Sequence, residues 1–161
     1  MQGIFILVLV AAAAFVWITS GDLPPVVASH FGPGGAANGF MGKGAYTAFM
    51  LAFVVAVPAL VAWSTLLVRM LPTTLINLPH RQYWLAPQRR ATTLEALSSM
   101  SLRFAFVLAI FLCFVHWLVV RANAARPATL PETPLFIGLA LFGVATLLWL
   151  VTLFRRFGRV P

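Results

Sequence analysis

Acidic side chains are almost missing: Asp22, Glu95 and Glu132 are the only three in 161 residues. No two stand close together in the chain, so hydrolysis by a pair of carboxylates has no basis here. A single cysteine, Cys113, rules out an intrachain disulfide framework. A phosphate loop, a Gly-rich dinucleotide fingerprint, a metalloprotease helix motif and a nucleophile elbow are absent as well. The expectation is a protein that is not an enzyme and carries no cofactor. Charge of either sign is scarce, at 9% of residues, where a soluble domain has about a quarter.

Apolar residues take that place, at 61% of the chain with a mean hydropathy of +0.97. The net charge of +8 does not point to nucleic acid, because the basic residues form no common face. They cluster at the ends of apolar runs, as in membrane proteins. Four runs are long enough to cross a bilayer: residues 3–19, 46–68, 104–120 and 134–154. No Lys or Arg precedes the first run and no small-x-small site stands cleanly before Asp22, so a retained helix is expected rather than a cleaved signal peptide. The length fits one domain, residues 1–161. The predicted architecture is all-α and polytopic: four transmembrane helices, a structured outer loop, and a long third helix extending into the cytoplasm.

Orientation follows from the arginines. Arg69, Arg81, Arg89, Arg90, Arg103, Arg155, Arg156 and Arg159 flank the 69–99 loop or follow the last run, whereas Lys43, Arg121 and Arg126 lie on the other side. The positive-inside bias puts both termini and the 69–99 loop in the cytoplasm and the 20–45 loop outside.

The 20–45 loop has the composition of a folded element. Pro24, Pro25, Pro33 and the glycines at 32, 34, 35, 39 and 42 impose backbone shapes that a spacer does not need. Asn38-Gly39 is a strong tight-turn dipeptide, predicted to fold Phe40 and Met41 back towards Val27 and Phe31. A cap joining two helices and a partner site are both open readings. In the second, the binding candidates are His30, Phe31, Asn38, Gly39 and Lys43.

Ala48, Ala52, Ala56, Ala59 and Ala62 recur at helical spacing in the second run, a stripe on which another helix can approach closely. Pro58 lies within the same run and should kink it. Tyr83 and Trp84 suit a membrane–water boundary. Pro87 is expected in the first turn of a helix reaching about Val120, and Thr133-Pro134 as the N-cap and first residue of the last. Asp22 and Arg121 end their runs on the same side, where they can pair.

Cys113 and His116 are the one pair with ligand spacing, sharing a helical face. Two ligands do not make a metal site, and His30 is the only further candidate that could approach from outside. Haem ligation by His116 would need a second axial group. Packing against a neighbouring helix is the other reading. The span centres otherwise hold no protonatable group of the kind that pumps and exchangers use.

Two polar boxes carry a family likeness. Leu23-Pro24, Val27, His30-Phe31, Gly39 and Lys43 resemble the outer loop of a bacterial membrane domain of unknown function, which also forms the N-terminal part of immunity proteins against the sporulation-delaying toxin. Asn77-Leu78-Pro79, Arg81, Tyr83-Trp84-Leu85-Ala86-Pro87 and Arg89-Arg90 resemble the cytoplasmic box of stand-alone relatives. Gln82 and Gln88 stand where acidic residues often occur in those relatives. The resemblance implies a bacterial inner-membrane protein with no catalytic signature. It would act as a binding, accessory or immunity-like signalling module whose partner is another membrane protein or a peptide. An auxiliary subunit of a membrane redox or transport complex is the rival expectation.

Overall fold

In a computed structural model, residues 1–160 are described. Four long helices dominate: α1 (Gln2–Thr19), α2 (Lys43–Met70), α4 (Arg90–Ala124) and α5 (Glu132–Phe157), with a short α3 (Arg81–Trp84) before α4. Each of the four is long and apolar enough to span a membrane. Between α1 and α2 the chain forms an antiparallel ribbon of β1 (Val26–Phe31) and β2 (Ala37–Gly42), a β element that the all-α expectation did not include.

The helices begin and end for local reasons. α1 runs into a tight 3-10 turn at Ser20–Asp22 and stops where Pro24-Pro25 cannot continue it. α4 begins at Arg90, so Pro87 lies in the preceding turn and not in the helix's first turn as expected. The amides of both Arg89 and Arg90 bond to the Ala86 carbonyl, a turn that Pro87 can shape because it has no N–H to lose. α5 opens at Glu132, with Pro131 ahead of it, so Thr133 is inside the helix and is not its N-cap. A carboxylate in that first turn is favoured by the helix dipole.

α4 is the central strut, packed against α1, α2, α5 and β1. On α1 the buried face is Phe5, Leu9, Ala12 and Val16; on α2 it is Tyr46, Met50, Val54, Pro58, Ala62 and Thr65. The alanine stripe is split, contrary to expectation: Ala62 is buried beside Phe5 and Ala105 and Ala59 packs against the same cluster, but the rest of the stripe meets none of this chain's own helices. Ala48, Ala52 and Ala56 are exposed and Ala59 is only half-buried. They are offset by two positions from Tyr46, Met50 and Val54, which is about 200° around a helix. Further close-packing small residues are on α4, where Ala105 and Ala109 are fully buried. Phe5 fits beside Ala105 and Ala62, its ring edge-on to Phe106 at 5.1 Å and to Trp63 at 6.1 Å.

α5 lies to one side and buries only Phe157. It rests on α4 through Phe111 stacked on Phe142 at 4.3 Å and Phe104 against Trp149 at 5.0 Å. The Trp149 indole donates to the Met100 carbonyl (3.1 Å). Gly138 allows the approach, since a Cβ there would overlap the Phe114 ring.

Candidate functional site

The ribbon sits on the end of the bundle formed by the end of α1, the start of α2 and the end of α4. Val27 faces Met41 and Ala28 faces Phe40 across it. The reversal is at Pro33-Gly34-Gly35, where Gly34 (φ 78°) and Gly35 (φ 74°) adopt left-handed backbone. This corrects the Asn38-Gly39 turn, because both of those residues lie within β2. Two consecutive glycines after a proline meet the turn's demand more cheaply than an asparagine can. Asn38 instead takes His30, its side-chain oxygen bonded to the imidazole Nδ1. Gly39 is required for a different reason than positive φ: a Cβ there would lie 2.8 Å from the Cβ of His30, its cross-strand neighbour.

Three attachments make this ribbon rigid. Asn123 on α4 accepts the Ala28 N–H (2.8 Å) and donates to the Ala28 carbonyl (2.9 Å), so its side-chain amide serves β1 as one more strand residue would. At the turn, Glu132 accepts the Gly34 N–H (2.8 Å), and the Leu130 N–H donates to the Gly35 carbonyl (2.8 Å). Lys43, the first residue of α2, donates its backbone N–H to Pro25 and its ammonium to the Gly21 carbonyl (2.6 Å). Val27 and Ala28 are buried beneath, and Phe31 and Met41 pack half-buried against the same apolar cluster. Phe40 does not fold back as expected; it is 61% exposed.

Just under the ribbon lies the one buried imidazole. His116 bonds Thr19 of α1 through Nε2 (2.8 Å) and Tyr46 of α2 through Nδ1 (2.9 Å). The roles follow from counting protons. The Thr19 hydroxyl donates its single proton to the Phe15 carbonyl (2.7 Å), so it can only accept from His116. Nε2 therefore carries the proton, and bare Nδ1 accepts from the Tyr46 hydroxyl, which assigns a neutral tautomer. Tyr46 also stacks on the ring at 5.7 Å and Phe15 meets it edge-on at 5.9 Å. One side chain thus ties three helices together, and neither nitrogen is free to ligate a metal while those bonds stand.

Cys113, half-buried, packs against the apolar cluster. It does not join His116 and His30 in a three-ligand group, and no such group of His, Cys, Asp or Glu occurs among the described residues. Nor do Asp22 and Arg121 pair: the Arg121 guanidinium lies 5.5 Å from the Trp117 ring centre, and the described residues form no ion pair.

The second box folds as a cap on the opposite end. Arg90 donates to the carbonyls of Arg69 and Leu71 (3.1 Å each), Arg81 to that of Thr74 (2.8 Å), and the Trp84 indole to that of Phe157 (3.0 Å). Arg89 lies 3.9 Å over the Tyr83 ring. His80, in left-handed backbone at φ 50°, contacts the Gly158 carbonyl. Pro79 is half-buried, while Asn77 is exposed at the rim of a cavity of about 440 Å³ shared with Arg81 and Gln82. The Trp84 and His80 bonds anchor the end of α5 to this box, Arg81 and Arg90 are occupied with backbone carbonyls, and Arg89 is held by the Tyr83 ring.

Tyr46, Thr19 and Asn123 were not singled out from the sequence. The available signal was their position, a polar residue at or just beyond the end of an apolar run in three different helices. Compared with family models, curated proteins and solved structures, the chain matches none.

Proposed function

We propose that this chain is a non-enzymatic binding module of the bacterial cytoplasmic membrane, immunity-like or signalling in kind, that engages a membrane protein or peptide through its ribbon. The observation that carries the reading is a ribbon held at both ends that still presents apolar surface. Val26 and Phe40 are 62% and 61% exposed and are diagonal neighbours on one face. Ala28 gives both backbone groups to Asn123, so those of Phe40 point to the open edge of β2. An open edge beside exposed apolar side chains accepts an added strand, which makes an extended apolar segment the best-fitting partner. The resemblance to toxin-immunity proteins supports the same class of partner.

A photo-crosslinking residue placed at Phe40 should give one discrete adduct in native membranes, while the same probe at Phe136, exposed on α5, should give none. No adduct at position 40 would sink the ribbon as the docking site.

In the proposed orientation the ribbon is outside; both termini, the second cap and the first turns of α4 are in the cytoplasm. With Cys113 replaced by serine, a membrane-impermeant thiol reagent applied to intact cells should label Gly34→Cys and spare Gln88→Cys. The reverse pattern would invert the topology. The auxiliary-subunit reading draws support from Ala48, Ala52 and Ala56, which face away from the chain's own helices and leave room for a partner span. Crosslinks from Ala52 in place of Phe40 would favour it.

A further inference from the structure

Beside the ribbon, the end of α1 and the start of α2 enclose an open groove of about 580 Å³. Its wall is apolar, from Trp17, Ala48 and Leu51, and its head is polar, from Ser20, Lys43, Gly44 and Thr47. Ser20 is only 2% exposed, yet its hydroxyl has no hydrogen-bond partner, a condition that native proteins seldom leave unresolved. At the same head, α2 begins on Gly42 with no side-chain cap. The Lys43 amide is taken by Pro25, but those of Gly44 and Ala45 meet no acceptor in the chain. The Lys43 ammonium bonds only a neutral carbonyl. Asp22, the nearest acid in the sequence, is exposed and does not line the groove.

We propose that this groove holds a phospholipid, its phosphate at the start of α2 and one acyl chain along Trp17, Ala48 and Leu51. Gly44, whose amide stands at the positive end of the α2 dipole, and Lys43 both line the head of the groove, the arrangement by which helix starts bind anions. Ser20 supplies a further donor. A phosphate has enough oxygens for this set, whereas a carboxylate has two. The ligand enters from the bilayer, since Trp17 on the groove's wall is 67% exposed.

The test uses the full chain, purified in detergent and stripped of lipid, then titrated with phosphatidylglycerol and separately with oleate by native mass spectrometry. One phosphatidylglycerol should bind well above the level of the others. Lys43→Gln should weaken that binding about tenfold, the effect of losing one charge-assisted bond, and Ser20→Ala a few-fold. Ala48→Trp fills the wall and should abolish it, while Ala52→Trp, one turn further along, should not. Equal retention by the wild type, Lys43→Gln and Ala48→Trp would mean surrounding lipid only and would overturn the site. Oleate binding as tightly as phosphatidylglycerol would overturn the assignment to phosphate. Should Ala48→Trp fail to fold, Lys43→Gln at the groove's mouth decides the matter alone.

Discussion

Replacing His116 with alanine is expected to lower the unfolding free energy by about 3 kcal/mol, in the range for truncating a large buried side chain. Two effects add. The imidazole is completely buried, so its removal leaves a void between α1, α2 and α4. It also leaves the Tyr46 hydroxyl without its acceptor in an apolar setting, at a cost of about 1–3 kcal/mol. Tyr46→Phe is the milder change, about 1 kcal/mol, because hydrogen bonds between membrane helices are individually modest. The double variant should then cost less than the sum of the two by about 1 kcal/mol, since both act on one bond. Denaturant unfolding in micelles measures all three. A fully additive cycle, or a His116→Ala variant as stable as the wild type, would show that the network does not hold the helices together.

The second large effect is at the turn of the ribbon. Gly34 and Gly35 share a left-handed backbone, and alanine at either position pays about 1–2 kcal/mol for it. Their surroundings separate them. A Cβ at Gly34 meets nothing within 4 Å, whereas one at Gly35 would overlap the Leu130 carbonyl. Gly35→Ala must push the turn off the loop before α5, breaking the Leu130–Gly35 bond and straining that from Gly34 to Glu132. Its total cost should be about 3 kcal/mol against about 1 for Gly34→Ala, with the excess coming from those bonds. Limited proteolysis of the ribbon should accelerate in Gly35→Ala and hardly change in Gly34→Ala. Similar behaviour in the two variants would mean that the ribbon is not clamped.

The sequence alone determined the four membrane-length helices, because backbone groups in hydrocarbon must be paired within their own segment and long uncharged apolar runs announce where that happens. Its prolines and glycines also raised the expectation of a structured 20–45 loop, a segment in which the structure has the β1–β2 ribbon. Which face of each helix points inward was beyond the sequence. Periodicity puts Ala48, Ala52 and Ala56 on one stripe and Tyr46, Met50 and Val54 on another, but the choice between them depends on the neighbours, and the second stripe is the one that packs with Ala12 and Val16 of α1 and Leu112 and Val119 of α4. His116 was visible as an odd polar group. Its partners were not, because Thr19 and Tyr46 are brought to it by the relative rotation of three helices. The turn was misplaced for the same kind of reason. Asn38-Gly39 is a strong reversal by composition, but Gly34-Gly35 carries no Cβ penalty in left-handed backbone and is held besides by its contacts with Leu130 and Glu132. Local chemistry sets which conformations a segment can take; the contacts it meets on folding decide which one it keeps.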